Sequence, residues 1–298
     1  MAERESDSPF SLIQWQCTGA LPSEACLAFV VRYSPTSMAS RLSGQWILIT
    51  GASSGFGAAA ARAFARVGAN LLLGARRLDR LESVAAEARK LGAASAHVRA
   101  LDVASTANVN GFVQWAKGLT PGLDVLINNA GGAKGLETVA EGKDEDWEFM
   151  MQTNVLGVLR VTRACLPLMT TRPSASIINI GSIAGRVAYE GGSAYCGAKA
   201  AELQITKALR LELCGTGIRV STIDPGMAET EFSVVRFKGD DAKAKKVYEG
   251  VEPLTAEDIA ETILWVAERP PHVNIDELVI KCTDQAAIHK VHRRVKTV

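Results

Sequence analysis

The sequence lacks the features that mark membrane-spanning or nucleic-acid-binding proteins. No apolar run in its 298 residues is long enough to span a bilayer. The early run ACLAFVV (25–31) follows the acidic stretch MAERESDS, whereas secretory and mitochondrial signals favour positive charge. The formal net charge is only +1, so no bulk field attracts nucleic acid or an anionic membrane. We therefore expect a cytoplasmic protein that binds neither a membrane nor nucleic acid.

Paired cysteines are also lacking. The six cysteines show no CxxC spacing and no grouping with histidine. Such scattered thiols are typical of reduced, partly buried cysteines in a cytosolic protein, so we expect neither a disulfide framework nor a metal site. The positions are Cys17, Cys26, Cys165, Cys196, Cys214 and Cys282.

The chain is long enough for one large domain, and no low-complexity linker divides it. Residues 1–43 precede the first predicted strand, and we expect them to form a poorly ordered extension. Met38 directly precedes the start of the predicted domain, which suggests the hypothesis that it is the natural initiator. The domain itself is predicted to span residues 44–298.

From residue 45 onward, strand-like and helix-like segments alternate. The strand-like segments are short continuous apolar runs, which are typical of parallel strands buried on both faces. Repeated alternation of this kind predicts a single α/β domain with a Rossmann-type, doubly wound parallel sheet flanked by helices. The predicted strands are 46–50, 70–75, 96–103, 123–131, 176–182, 218–226 and 277–282, with a long helix over 144–169, further helices at 193–213 and 255–268, an irregular charged segment at 227–253 and a basic tail.

The stretch ITGASSGFG (49–57) runs from a predicted strand through a glycine turn into a helix. Backbone N–H groups and the positive end of the helix dipole at such a turn suit a pyrophosphate. Gly51 permits the tight turn, Gly55 lets the backbone approach phosphates, and Gly57 lets helix and strand pack closely. The turn therefore predicts a dinucleotide site.

The end of the second strand indicates which dinucleotide binds. An acidic residue there would hold the ribose 2′-hydroxyl of NAD, but this sequence has Arg76 and Arg77 instead. Two guanidinium groups would bind a 2′-phosphate, which predicts NADP. The alternative is a solvated basic loop in which Asp79 pairs with one arginine.

Tyr195 and Lys199 lie four residues apart on a predicted helix and therefore share a face. A tyrosine with an ordinary pKa of about 10 is a weak base at neutral pH, but a nearby ammonium group favours its phenolate form. Ser182 ends the preceding strand, at the edge where α/β sheets bind ligands. Asn154 lies in the middle of a predicted helix, an unfavourable position unless its side chain has a role.

These motifs together resemble the short-chain dehydrogenase/reductase family over about residues 44–282. TGASSGFG, LDV, NNAG, Asn154, Ser182, YCGAK and DPG occur in that family's order and approximate spacing. The resemblance implies that Tyr195 is the acid/base, that Ser182 polarises the substrate and that Lys199 binds the nicotinamide ribose and lowers the pKa of the tyrosine. It also implies that Asn154 holds a water in a proton relay, that no metal is needed and that the enzyme is a homotetramer. The implied cofactor contacts are Gly51, Ala52, Ser53, Ser54, Gly55, Phe56, Gly57, Arg76, Arg77, Asp102, Val103, Asn129, Ala130, Gly131, Tyr195, Lys199, Pro225, Gly226 and Thr230.

A narrower resemblance is carried by GARRLDRL and by the segment from TEFSVVRFKGDD to LTAEDIAETILWVAE. These stretches are similar to NADP-dependent 3-hydroxy acid dehydrogenases, which act on L-allo-threonine, serine and related compounds. A long loop such as 227–253 can close over substrate, and a substrate carboxylate needs a cation. Besides Ser182 and Tyr195 as substrate contacts, Arg236 and Arg186 are candidates for that cation, although either could instead form a surface salt bridge.

Two other functions remain open from the sequence. The same scaffold could serve a broad-specificity NADPH-dependent ketone or aldehyde reductase. It could also serve as a non-catalytic NADP-binding sensor, against which the presence of both Tyr195 and Lys199 argues, because a sensor needs neither.

Overall fold

The computed structural model describes residues 40–294. The predicted disorder of residues 1–43 and the hypothesis about Met38 therefore fall, except for residues 40–43, outside the described part. Leu42 is buried in the core, and the N–H of Gly44 donates to the carbonyl oxygen of Gly68 at 2.8 Å. The packed domain thus includes residues ahead of position 44.

Within the described residues, the central sheet has seven parallel strands in the order β3-β2-β1-β4-β5-β6-β7. The chain runs outward from β1 to β3, returns to the other side of β1 and continues to β7. A crevice opens where the strand order reverses, outside the carboxyl ends of β1 and β4. The predicted doubly wound fold is confirmed. The strands are β1 (Trp46–Thr50), β2 (Asn70–Ala75), β3 (Ser95–Ala100), β4 (Val125–Asn128), β5 (Ala175–Ile180), β6 (Ile218–Pro225) and β7 (Glu277–Ile280).

Helices cover both faces of this sheet and bury two apolar clusters. One cluster lies between the sheet and helices α1, α2 and α9, and the other lies under α3 and α5. The predicted start of α9 is confirmed, since Thr255 and Asp258 form a reciprocal capping box. The helices are α1 (Gly55–Arg66), α2 (Leu78–Lys90), α3 (Thr106–Lys117), α4 (Asp144–Met150), α5 (Gly157–Met169), α6 (Ser193–Glu212), α7 (Phe232–Arg236), α8 (Asp241–Lys246) and α9 (Ala256–Ala267).

Two sequence predictions are corrected by the structure. The helix predicted over 144–169 is interrupted by a turn of π-helix, Met151–Leu156. The segment 227–253 is not irregular, because it contains α7 and α8. Up to residue 294, the basic tail forms a hairpin that folds back onto its own chain. That hairpin consists of β8 (Gln285–Ala287) and β9 (Lys290–Val291).

The hairpin is anchored beyond β9 by its arginines. The N–H of Arg294 donates to the carbonyl oxygen of Gly250 at 2.7 Å, and Arg293 donates to the carbonyl oxygens of Val247 and Glu249. The end of the described chain is therefore bound to the segment that follows α8.

No helix among residues 40–294 has both the length and the apolar character needed to cross a membrane.

Candidate active site

A cavity of about 740 Å³ lies in the crevice between the carboxyl ends of β1 and β4. This volume is within the range of small-molecule sites. Among the predicted site residues, Ala52, Gly57 and Asn154 lie behind the cavity wall. The structure brings the others to the cavity: Gly51, Ser53, Ser54, Gly55, Phe56, Arg76, Arg77, Asp102, Val103, Asn129, Ala130, Gly131, Ser182, Tyr195, Lys199, Pro225, Gly226, Thr230 and Arg236.

The glycine turn between β1 and α1 has the geometry that its sequence predicts. Gly51 has φ +66° and Gly55 has φ +51°, a left-handed conformation that favours glycine. A Cβ atom on Gly57 would lie 2.5 Å from the carbonyl oxygen of Gly51, so close packing requires glycine there. The first turn of α1 carries no acidic residue. Its N-terminus is therefore suited to an anionic group.

Asn129 ties the end of β4 to this turn. Its side-chain Nδ2 donates to the carbonyl oxygens of Thr50 at 2.8 Å and Gly51 at 3.3 Å. In return, the hydroxyl of Thr50 accepts from the N–H groups of Asn129 and Ala130 at 3.0 and 2.9 Å. These bonds fix the two sides of the crevice relative to each other.

Arg76 and Arg77 line the cavity where β2 ends. Nη2 of Arg77 donates to the hydroxyl of Ser54 at 2.7 Å and to the carboxylate of Glu231 at 2.9 Å. Arg80 also pairs with Glu231, so this carboxylate, rather than that of Asp79, is the acidic partner of Arg77. Burial acts to raise the pKa of Glu231, but the hydrogen bonds from Arg80 and Arg77 outweigh it and the pKa is lowered. Because Arg77 both lines the cavity and bonds to Ser54, the residue before α1, its guanidinium lies beside the N-terminus of α1.

Asn154 lies in the π-helical turn and holds the loop that follows β4. Its Nδ2 donates to the carbonyl oxygens of Gly132 and Met150, each at 2.9 Å, and its Oδ1 accepts from the N–H of Gly132 at 3.0 Å. The side chain thus pairs with both polar groups of one loop residue. An asparagine is tolerated inside this helix because its amide has these partners, and π-helical turns are frequent at functional sites.

Ser182 and Tyr195 face the cavity from neighbouring elements. Ser182 follows β5, and its hydroxyl accepts from the N–H of Ala184 at 3.1 Å at the start of a short 3₁₀ turn. Tyr195 lies in the first turn of α6, is 8% exposed, and packs against Phe232 with 5.6 Å between ring centroids. A hydroxyl and a phenol therefore reach the same cavity from the sheet edge and from a helix.

Lys199 lies one turn beyond Tyr195 on α6 and is buried. Its Nζ donates to the carbonyl oxygen of Ile180 and to the carboxylate of Glu202, each at 2.7 Å. Burial works against the charged form of Lys199, but the neighbouring carboxylate of Glu202 outweighs it, so the pKa of Lys199 is raised. Lys199 is therefore a stable cation at the cavity wall.

A buried polar network fixes α6 against the sheet. Nδ2 of Asn128 donates to Oδ1 of Asn179 at 2.9 Å and to the hydroxyl of Thr162 at 3.0 Å. Nδ2 of Asn179 then donates to the hydroxyl of Thr206 on α6 at 2.8 Å. These bonds connect α5, β4, β5 and α6, so they hold the helix that carries Tyr195.

Arg236 ends α7 and reaches the cavity beside Tyr195. Its guanidinium carbon lies 5.5 Å from the centroid of the Tyr195 ring, and its Nη2 donates to the hydroxyl of Tyr189 at 2.5 Å. Its Nε donates to the carbonyl oxygen of Gly135 at 3.2 Å. A cation therefore lies close to the phenol ring.

Arg186 is not brought to the cavity. Its guanidinium donates to Asp224 and to Glu277, each at 2.6 Å. Burial acts against its charge, but these two carboxylates outweigh it and raise the pKa of Arg186. Arg186 is therefore committed to a salt bridge, the alternative that its sequence position left open.

The sequence did not single out several cavity residues. Gln285, Ile288 and His289 reach the cavity from the hairpin, where Oε1 of Gln285 accepts from the N–H of Met227 at 2.7 Å. Nothing in the pattern of the tail indicated this position. Glu202, which lies behind the cavity wall, could have been found from the sequence, because it lies three residues after Lys199 on the same helix. Further lining residues that were missed are Leu136, Phe149 and Tyr189.

The cysteines lie apart from one another in the described part of the chain. Cys165, Cys196 and Cys282 are buried thiols and Cys214 is an exposed one. Burial raises the pKa of Cys165 to about 12, which makes it unreactive. Between residues 40 and 294, no group of three or more His, Cys, Asp or Glu side chains could hold a metal ion.

Comparison with known proteins finds relatives that align with this chain over nearly their whole length. The chain is 44% identical over 256 residues to the NADP-dependent 3-hydroxy acid dehydrogenase of Schizosaccharomyces pombe, an alignment that covers 86% of this chain and 99% of the relative. It is also 44% identical over 242 residues to the sulfoacetaldehyde reductase of Chromohalobacter salexigens, with 80% of this chain and 94% of the relative covered.

A solved structure shares both the fold and much of the sequence. The closed form of a serine dehydrogenase complexed with NADP⁺ superimposes with a TM-score of 0.78 at 40% identity, and the match covers 84% of this chain and all of that one. Residues 45–241 match the family described as short chain dehydrogenase. This range holds the glycine turn, the predicted Ser182, Tyr195 and Lys199, and most of the cavity wall. The chain belongs to the short-chain dehydrogenase family.

Proposed function

We propose that this protein is an oxidoreductase that transfers hydride between NADP(H) and the 3-hydroxyl or 3-keto group of small 3-hydroxy acids, such as L-allo-threonine and serine. The single observation that carries the proposal is the position of Arg236 beside Tyr195, in the cavity that also contains the glycine turn. The similarity to a 3-hydroxy acid dehydrogenase and to a serine dehydrogenase supports it.

The cavity fits an NADP molecule. The glycine turn and the uncapped start of α1 would take the pyrophosphate, and Arg76 and Arg77 would take the 2′-phosphate. Asp102 and Val103 line the part of the cavity that would hold the adenine. When bound, the nicotinamide supplies the hydride acceptor or donor.

We assign proton transfer and substrate orientation to three side chains that line the cavity. Tyr195 removes the proton of the substrate hydroxyl during oxidation and returns it during reduction. Ser182 donates a hydrogen bond to the same substrate oxygen and orients it. Lys199 stabilises negative charge on Tyr195 and binds the nicotinamide ribose. Asn154 positions the loop at Gly132, and the water-holding role that the family resemblance implies for it stays a prediction.

A substrate carboxylate is proposed to bind Arg236. In the structure this guanidinium already donates to Tyr189 and Gly135, so two protein contacts hold it beside Tyr195. A guanidinium held in this way loses little conformational freedom when it binds an anion. A small 3-hydroxy acid would then place its carboxylate at Arg236 and its hydroxyl near Tyr195.

The test compares Arg236→Met with Lys238→Met, which removes a cation of the same segment that pairs with Asp146 outside the cavity wall. Loss of a charge-assisted hydrogen bond should raise the KM for serine about 10-fold or more in Arg236→Met. The KM for an uncharged secondary alcohol should change less than about 2-fold. A uniform rise for both substrates, or an equal effect of Lys238→Met, would remove Arg236 from the substrate site.

A second candidate function is the reduction of a small anionic aldehyde. The similarity to a sulfoacetaldehyde reductase favours it, and the guanidinium of Arg236 would bind a sulfonate as well as a carboxylate. A panel of serine, L-allo-threonine, sulfoacetaldehyde and neutral carbonyls, each assayed with NADP(H), separates these functions. Turnover spread evenly over neutral carbonyls would favour a broad reductase, and no turnover at all would favour an NADP-binding sensor.

We also propose that the enzyme is a cytoplasmic homotetramer whose catalytic domain extends to residue 298 and begins slightly ahead of the predicted boundary at residue 44, because Leu42 packs in its core. Partly exposed apolar side chains around the start of α5 support subunit contacts, namely Met151, Leu156 and Leu159 at 41%, 37% and 44% exposure. Analytical ultracentrifugation should give four times the 31.7 kDa mass of one chain. A monomer at micromolar concentration would refute the assembly.

A further inference from the structure

A buried carboxylate lies directly behind the cavity wall without a part in the proposed chemistry. Glu202 on α6 is 1% exposed, and its Oε2 accepts from Nζ of Lys199 at 2.7 Å. Burying a carboxylate costs several kcal/mol unless a cation or hydrogen bonds compensate it. Glu202 therefore needs Lys199 as its partner, and the same hydrogen bond holds the ammonium group of Lys199 in place.

The lysine ammonium group has three N–H donors. One donates to the carbonyl oxygen of Ile180 at the end of β5, and another donates to Glu202. Glu202 lies outside the cavity wall, whereas Lys199 lines the cavity. Because two bonds of a tetrahedral ammonium fix the direction of the third, the remaining N–H has one orientation.

The charges around this pair nearly cancel. Tyr195 and Lys199 share α6 with Glu202, and Asp224 faces the pair from β6. Asp224 is itself bound to Arg186, which follows β5. Burial raises the pKa of Glu202, and the charge of Lys199 offsets only part of that rise. Above this raised pKa of about 7, the carboxylate of Glu202 is charged and acts on the ammonium group behind the phenol.

We propose that Glu202 is a positioning residue for Lys199, which aims the third N–H of the ammonium group into the cavity and sets the net charge behind Tyr195. The proposal rests on the proposed function, because it assigns Lys199 to the nicotinamide ribose and Tyr195 to proton transfer. It gives Glu202 two separable effects, one through geometry and one through charge.

Two variants separate these effects. Glu202→Gln keeps an oxygen acceptor at the same reach but removes the negative charge. The site becomes more positive, so the phenolate of Tyr195 is favoured, and the midpoint of the pH profile of kcat for oxidation should fall by about 1 unit. Glu202→Asp keeps the charge but shortens the reach by one methylene, so it should leave the midpoint in place and weaken cofactor binding about 5-fold or more.

The experiment measures kcat for NADP-linked serine oxidation between pH 6 and 10 and, separately, the Kd for NADPH by fluorescence titration without substrate. Glu212→Gln, an exposed carboxylate at the end of the same helix, is the matched control and should change neither quantity. Thermal unfolding of each variant verifies that it is folded. Support requires a pH shift in Glu202→Gln with a Kd within about 2-fold of the wild type, and a raised Kd in Glu202→Asp.

An unshifted midpoint in Glu202→Gln, or an unchanged Kd in Glu202→Asp, would overturn the corresponding half of the proposal. The Kd measurement needs no substrate, so it decides the geometric half even if no 3-hydroxy acid is oxidised. Failure of the proposed function would appear as an absence of turnover in the wild type. Failure of the positioning role would appear as variants that bind NADPH and turn over substrate as the wild type does.

Discussion

Replacement of Arg77 by methionine should weaken the use of NADP far more than the use of NAD. Arg77 lies at the cavity wall with its Nη2 2.7 Å from Ser54, the residue that precedes α1. A guanidinium there can donate two charge-assisted hydrogen bonds to a 2′-phosphate that NAD does not have. Methionine keeps most of the length of the side chain and removes these donors.

The magnitude follows from the surroundings of the guanidinium. Hydrogen bonds to charged groups contribute about 1.5–3 kcal/mol each, so two such bonds would give about 3–6 kcal/mol. The side chain of Arg77 is 41% exposed, and Glu231 at 2.9 Å competes with the phosphate for it. Solvent screening and this competition reduce the effect to about 2 kcal/mol, which is roughly a 30-fold loss in kcat/KM for NADP.

The assay compares kcat/KM for NADP and NAD with one alcohol substrate in wild type, Arg77→Met and Arg80→Met. Arg80→Met is the control, because Arg80 also pairs with Glu231 but is not part of the cavity wall. We expect the value for NAD to change less than about 2-fold in both variants. Equal losses for the two cofactors, or equal losses in the two variants, would refute the assignment of the 2′-phosphate to Arg77.

Three other predictions follow from the site and the fold. Tyr195→Phe should lower turnover at least about 1,000-fold while the Kd for NADPH stays the same, and appreciable turnover in this variant would exclude Tyr195 as the acid/base. Burial raises the pKa of Glu202 from 4.5 to about 7, so its contribution to stability is present below pH 4.5 and is lost as the pH rises through 7. Relative to Glu202→Gln, the free energy of unfolding of the wild type should therefore fall by about 2 to 3 kcal/mol between pH 5 and 8 in urea titrations, and a constant difference would contradict this. Gly57→Ala should cost about 2 kcal/mol or more, because its Cβ would lie 2.5 Å from a backbone oxygen, whereas Gly111→Ala in α3 has open space and should stabilise by about 0.5–1 kcal/mol.

The fold could be predicted from the sequence because its strongest signals are local. The apolar runs of β1, β4 and β5 are buried on both faces, and a parallel sheet produces such runs. The π-helical turn at Met151–Leu156 could not be predicted in this way. It depends on the hydrogen bonds between Asn154 and Gly132, a contact that exists only once the loop after β4 has folded.

The segment after β6 was predicted poorly for a different reason. α7 has five residues and α8 has six, lengths at which helical periodicity is hardly measurable and isolated helices are unstable. Their stability comes from tertiary contacts, such as the hydrogen bond of 2.6 Å between the hydroxyls of Ser233 and Tyr248. The hairpin at the end of the described chain likewise depends on Arg293 and Arg294, which bond to Glu249 and Glu252, 44 and 42 residues away in sequence.

In the candidate site, too, residues in local motifs could be predicted, and residues that act through long-range contacts could not. Its glycine turn, Tyr195 and Lys199 could be located because each motif lies within one strand–turn–helix unit or one helix face. The pairing of Glu231 with Arg77 could not be predicted, because the two residues are 154 positions apart in the sequence. For Glu202, the sequence shows its spacing from Lys199, but its burial could not be predicted.

Helix α7 connects the two ends of the cavity. Glu231 immediately precedes it and binds Arg77 and Arg80, beside the glycine turn. Arg236 ends it and binds Gly135 and Tyr189, beside Tyr195. Because a helix of five residues is only about 7 Å long, the contacts at its two ends lie close together. A phosphate bound to Arg77 and a carboxylate bound to Arg236 would therefore contact side chains that are held at opposite ends of the same short helix.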